Sequence, residues 1–141
     1  MQYIIKQSYE LTECYPQHEP REKDPHYNMF RSVRERMNRL GLMKCWICNS
    51  TDNIELHHSL IEFALQNGVD ILKFESEYPE FKIQSDDEFR NFIESEGNLL
   101  PLCVLHHRGI CGVHSLPYPL WLPQRFWKSN IAPPARKEIR Q

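Results

Sequence analysis

Two metal-ligand pairs, Cys45-x2-Cys48 and Cys103-x2-His106, stand 54 residues apart in a chain of 141. A tetrahedral zinc ion ties two such distant knuckles together, so this spacing constrains the fold more than any other feature of the sequence. It requires the chain near position 45 to meet the chain near position 103. The fourth ligand is open between His106 and Cys111, and the x2 spacing favours His106. The cysteine count, five, is odd, which does not suit a simple set of intramolecular disulfides. The opening Met1-Gln2-Tyr3-Ile4-Ile5-Lys6 lacks the apolar core of a signal peptide. A cytoplasmic, reducing setting is the expectation, and cysteines paired at this spacing are there more often metal ligands than bridges.

With 40% hydrophobic and 26% charged residues the chain has the composition of an average soluble domain. No apolar run approaches the roughly 20 residues that a membrane span needs. One domain with appendages, not embedded in a membrane, is expected.

Imidazoles interleave with the thiols: His57, His58, His106, His107 and His114 all lie between positions 45 and 114. Ile54-Glu55-Leu56-His57-His58 follows the turn cluster Ser50-Thr51-Asp52-Asn53 and reads as a short strand. Neighbouring side chains on a strand point to opposite faces, so His57 and His58 take different roles. A neutral imidazole binds a divalent ion, and an adjacent one can accept a proton from water as a general base. The pair is followed by Asn98 and a second histidine cluster, which separates it from commonplace surface histidines.

In this order of residues the chain resembles an HNH endonuclease of the zinc-knuckle type, over residues 45–114. The resemblance implies an α+β fold with a ββα-metal core, two strands and a helix gripping one ion, and a DNA endonuclease that hydrolyses phosphodiester bonds. It implies His57 as a metal ligand and His58 as the general base. Asn98, in Gly97-Asn98-Leu99-Leu100, matches the family's asparagine that orients the base. His107 matches the helix histidine that completes the metal site, and His114 resembles the last metal histidine of many members. Cys45, Cys48, Cys103 and His106 then hold a structural zinc. The expected catalytic ion is magnesium, manganese, nickel or zinc, and the resemblance implies a product with a 3'-hydroxyl and a 5'-phosphate. The chain departs from the family in three places: His106 stands where a cysteine is usual, His107 and His114 are seven apart rather than four, and the connection 59–97 is long.

Net charge is only -2, but its distribution is uneven. Arg31, Arg34, Arg36, Arg39 and Lys44 face Glu35 alone in 31–44, and Arg125, Lys128, Arg136, Lys137 and Arg140 face Glu138 alone in the tail. Phosphate affinity follows the local field, so these basic flanks suit DNA. Arg108, beside His107, is the candidate to grip a neighbouring phosphate. Segment 75–96 is the reverse, with eight carboxylates against Lys82 and Arg90; a solvated helical face away from DNA is the first expectation, and a gate near the DNA channel or a surface for a protein partner are the others.

Along the chain, 1–44 reads as an arm, with a strand-like Tyr3-Ile4-Ile5, followed by a basic amphipathic helix from Tyr27 to Leu40 that Gly41 stops. The core is expected over 45–116. Its insertion, 59–97, divides into helical pieces at Asn67-Gly68, Pro79 and the cap-like Ser85-Asp86-Asp87-Glu88. Leu99 to Leu102 reads as the second strand, and a helix is expected to start at His106, made irregular by Gly109 and Gly112. The tail, 117–141, is rich in proline and aromatics. Trp121, Phe126 and Trp127 are expected to pack on the core rather than stack on bases. The rival reading is a non-catalytic zinc-binding module for nucleic acid or a protein partner. A peptide hydrolase is disfavoured, because the His-Glu-x2-His spacing of common zinc proteases is missing.

Overall fold

A computed structural model describes residues 3, 5–8, 10 and 12–131 of the chain. Ile4 and the tail cations Arg136, Lys137 and Arg140 lie outside the described residues. Tyr3 and Ile5 belong to no strand and are largely exposed, so no burial rewards pairing there. The architecture is mixed helix and strand, α+β, around a two-stranded antiparallel ribbon.

Helix α1 spans Tyr27–Arg39 and buries Phe30 and Met37, one stripe of its apolar face. Leu40, expected on that stripe, is exposed: as the C-cap it already leaves the helical path. Gly41 follows at φ +72°, and the Leu42 N–H donates to the Met37 carbonyl, closing a Schellman turn that needs a residue free of a Cβ penalty.

Strands β1, Ile54–His58, and β2, Leu99–Cys103, pair in the register Ile54 to Cys103 through His58 to Leu99. Pro101 is tolerated in β2 because a two-stranded ribbon is all edge, and its carbonyl accepts from the Trp46 N–H of the first knuckle. Between the strands lie α2, Ile71–Glu77, and α3, Asp86–Ile93, with short 3-10 turns at Phe63–Gly68 and Pro79–Phe81. The Ser85 hydroxyl caps α3 by accepting from the Glu88 N–H, and the Glu88 carboxylate reaches back to the Gln84 N–H, close to the reciprocal arrangement expected of this motif.

After β2 comes α4, Val104–His107, then α5, Tyr118–Trp121. Helix α4 begins two residues before the expected start and ends at His107. Gly109 and Gly112 fold the chain straight back: a Cβ on Gly112 would lie 2.5 Å from the His107 carbonyl oxygen, and one on Gly109 2.8 Å from the Leu105 Cα. The returning N–H groups of Val113 and His114 donate to the carbonyls of His106 and His107.

Among the described residues three small cores result. Phe30 and Met37 of α1 cover Leu56 and Leu99 of the ribbon. Ile47, Ile54, Leu102 and Trp121 surround the buried sulfurs of Cys45 and Cys103, so Trp121 packs as expected while Phe126 and Trp127 stay exposed. The insertion has an aromatic core of its own, Phe63, Phe74, Phe89 and Phe92 with Ile83 and Ile93.

Candidate metal centres

The first cluster is built by a knuckle, a strand end and a helix. The Cys45 N–H donates to the Ser50 carbonyl and the Asn49 N–H to the Cys45 carbonyl, and Asn49 turns at φ +63°. This aims Cys45 and Cys48 at the end of β2, where Cys103 leads into α4 and His106 lies one turn on. The ligand atoms of Cys45, Cys48, Cys103 and His106 all fall within 4.8 Å of one another. Cys48 Sγ is 3.8 Å from Cys103 Sγ, and His106 Nδ1 is 3.2 Å from Cys103 Sγ and 3.9 Å from Cys45 Sγ. Sulfurs bound at about 2.3 Å to a tetrahedral ion stand about this far apart. The cluster can therefore hold a metal ion, and His106 rather than Cys111 completes it. Trp121 fixes the helix from behind, its indole N–H donating 2.8 Å to the His106 carbonyl.

Burial raises the thiols of Cys48 and Cys103, the latter to about 12. Burial acts on Cys45 as well, but hydrogen bonds from His106 and the main chain outweigh it and bring that thiol down to about 6. A bound ion needs all three as thiolates, so binding releases protons.

The second cluster gathers His57 from β1, His107 from α4 and His114 from the returning loop. One ring nitrogen of each lies within 4.8 Å of the other two. Ring centroids are 4.9 to 5.2 Å apart, and His107 Nε2 is 3.2 Å from His114 Nε2. The backward fold at Gly109 and Gly112 makes the seven-residue spacing work. Glu55, two residues before His57 on the same strand face, accepts from His107 Nδ1 at 2.9 Å and so turns Nε2 toward the cluster. Burial, with the neighbouring charges of His107, His114 and His58, lowers His57 to about 3. His57 is thus neutral, the form that binds metal, and its buried Nδ1 has no hydrogen-bond partner. Three converging imidazoles, one of them with an orphaned nitrogen, fit a divalent ion.

His58 faces the other way, between Phe30 and Phe63. Its Nε2–H donates to Glu94 Oε1 at 2.6 Å, and Arg21 donates to Glu94 Oε2 at 3.1 Å. A cleft of about 310 Å³ brings both faces together, lined by His58, His107, His114, Glu62 and Arg21.

Two expected residues, and the acidic segment, are engaged in contacts that the sequence does not show. Asn98 does not touch the His58 ring. Its Oδ1 accepts from the Leu60 and Ile61 N–H groups, and its Nδ2 donates to the Ile61 and Ile93 carbonyls, so it pins the chain just after His58. Arg108 is engaged by Glu55, which accepts from its Nε through both oxygens; that contact, with His107, lowers the Glu55 carboxyl. Both contacts go to Nε, and the Arg108 side chain is 62% exposed. Nor is segment 75–96 uniformly solvated: Glu94 is buried against His58, Glu96 pairs with Arg36, Asp87 with His26, and Glu88 caps α3. Glu94 and Arg21 carry no motif spacing, and only their placement in space reveals them.

No family model, no curated protein and no solved structure matches the chain.

Proposed function

We propose that the protein is a metal-dependent DNA endonuclease built on a ββα-metal core, β1, β2 and α4. The observation that carries this reading is the convergence of His57, His107 and His114 beside a cleft that His58 also lines. The Cys45, Cys48, Cys103 and His106 cluster holds a structural zinc, fixing β2 and α4 so that His107 meets His57 across the ribbon. An ion bound by the three histidines supplies positive charge to the scissile phosphate and the leaving oxygen.

The protein's own residues do the rest. Glu94 accepts a hydrogen bond from His58 Nε2–H, which leaves Nδ1 as the nitrogen that takes a proton from the attacking water. Asn98 sets the backbone after His58, acting on the base through the chain rather than through its ring. Arg21 is the cation that lines the cleft, and the exposed Arg31, Arg34 and Arg39 of α1 offer phosphate contacts outside it.

A zinc-binding module without catalysis has use for the thiolate cluster but none for a second histidine cluster beside a buried His-Glu pair. Plasmid cleavage separates the two. Protein whose thiolate cluster has been refilled with one equivalent of zinc should cut when given single ions for the histidine site, and His58→Ala should retain fold, first-site metal and DNA binding while cleavage falls about 10²-fold or more. Full cleavage by His58→Ala, or none by the wild type with any ion, would reject the reading.

A further inference from the structure

Glu62 opens the 3-10 turn that follows β1, and its side chain makes no capping bond to that turn. It projects toward the histidine cluster instead. One of its oxygens, Oε1, lies 3.7 Å from His57 Nδ1 and also 3.7 Å from His114 Nε2. Those distances are too long for hydrogen bonds. They are close to the roughly 3.4 Å separating two donor atoms that each sit about 2.1 Å from one tetrahedral ion. His107 and His114 are 3.2 Å apart, but Glu62 stands outside the group whose donor atoms all lie within 4.8 Å of one another, so it joins the three histidines by a turn of its partly exposed side chain when an ion binds. An independent observation points to the same place: His57 is 7% exposed, and its Nδ1, aimed at Glu62, is buried with no hydrogen-bond partner. A buried nitrogen left bare beside a carboxylate that stops short of bonding it marks a missing shared partner.

We propose that Glu62 is the fourth protein ligand of the histidine site, which makes it a three-histidine, one-carboxylate centre for a divalent ion of the zinc, cobalt or nickel kind. The inference rests on the reading that the histidine trio holds an ion. It adds a constraint that three histidines alone do not impose. With four protein ligands a tetrahedral ion has no open position, so a phosphate oxygen enters by displacing Glu62 or by raising the coordination number. Glu62 is suited to letting go, because its side chain is about a third exposed and is not needed as a helix cap. The imidazoles of His57 and His107 are held by burial and by Glu55 and stay in place.

The test is cobalt binding to full-length protein whose thiolate site has first been filled with one equivalent of zinc. Four-coordinate cobalt absorbs strongly in the visible, and higher coordination weakens the band. Wild type should bind one further cobalt with strong absorption. Glu62→Gln should bind it about 10-fold or more weakly, with the band diminished as water takes the vacated place. Glu62→Asp should recover part of both, and Glu77→Gln, which removes a charge from α2, should change neither. His107→Ala should lose the cobalt altogether. If Glu62→Gln matches wild type in affinity and spectrum, Glu62 is not a ligand and the histidine trio stands without it. If wild type binds no second ion, both the trio and Glu62 fail together. Far-UV circular dichroism and retained zinc in Glu62→Gln exclude misfolding as the cause of a loss.

Discussion

Glu94 is 1% exposed, and a carboxylate so deep is held there only by what it bonds, here the His58 ring and the Arg21 guanidinium. Glu94→Ala leaves both partners stranded. It should destabilise the fold by about 3 kcal/mol, measured by chemical denaturation, and lower cleavage beyond what the lost stability explains. Asn98, fully buried, makes four hydrogen bonds to the main chain at 60, 61 and 93. Asn98→Ala should therefore cost about 2 kcal/mol or more of stability. A variant as stable as wild type that had lost only cleavage would overturn the bracing role. The histidines and thiols were legible in the sequence because ligand spacing is local and chemically specific. Glu94 was not, because in a run of eight carboxylates nothing local distinguishes the one that turns inward.

At the scale of elements, α4 and the loop behind it act as one unit. Gly112→Ala would push a methyl group against the His107 carbonyl, which is backbone and cannot swing aside. The loop should then open and carry His114 away from His107. The expected outcome is weakened cobalt binding at the histidine site with the thiolate site still loaded, read by metal analysis before and after dialysis. Helix α3 ends at Ile93, next to Glu94, and packs through Phe89 and Phe92 into the insertion's own core. Phe92→Ala should cost about 3 to 5 kcal/mol and disturb the His58 environment, visible in the imidazole NMR signals, although Phe92 belongs to the insertion. The break points at Asn67-Gly68, Pro79 and Ser85 could be read from turn and cap chemistry. That the pieces join in a shared aromatic core could not, since periodicity shows which face of a helix is apolar and not what it meets.

The whole molecule is held by joints between its parts. His26, at the start of α1, bonds Asp24 through Nδ1 and Asp87 of α3 through Nε2, each at 2.9 Å. Burial opposes protonation there, but the two carboxylates outweigh it and raise the ring above its ordinary value of 6.5. A raised histidine contributes stability that is complete below its unfolded pKa and is lost as pH rises through the folded one. The stability difference between wild type and His26→Ala should thus be larger at pH 6 than at pH 8, checked by urea unfolding at both. Removing metal with a strong chelator should unfold the region around Trp121, whose indole bonds the His106 carbonyl, and red-shift its fluorescence. Tryptophan emission unchanged in metal-free protein would show that the thiolate cluster does not support the fold. The meeting of positions 45 and 103 was legible from ligand chemistry, whereas the seating of α1 on the ribbon depends on shape complementarity that no local pattern carries.

The ribbon joins strands that the whole insertion separates in sequence, and this dictates an order of events during synthesis. Cys45 and Cys48 leave the ribosome long before Cys103 and His106 exist, so the first knuckle waits with two ligands while 54 further residues are made. Closing a loop of that length is slow, and every native contact of β1 with β2 depends on it. Because the insertion has its own core, it can condense during the wait and shorten the span between the two strands. The segment with the least apparent chemistry in the sequence thereby narrows the search that brings the two metal-ligand pairs together.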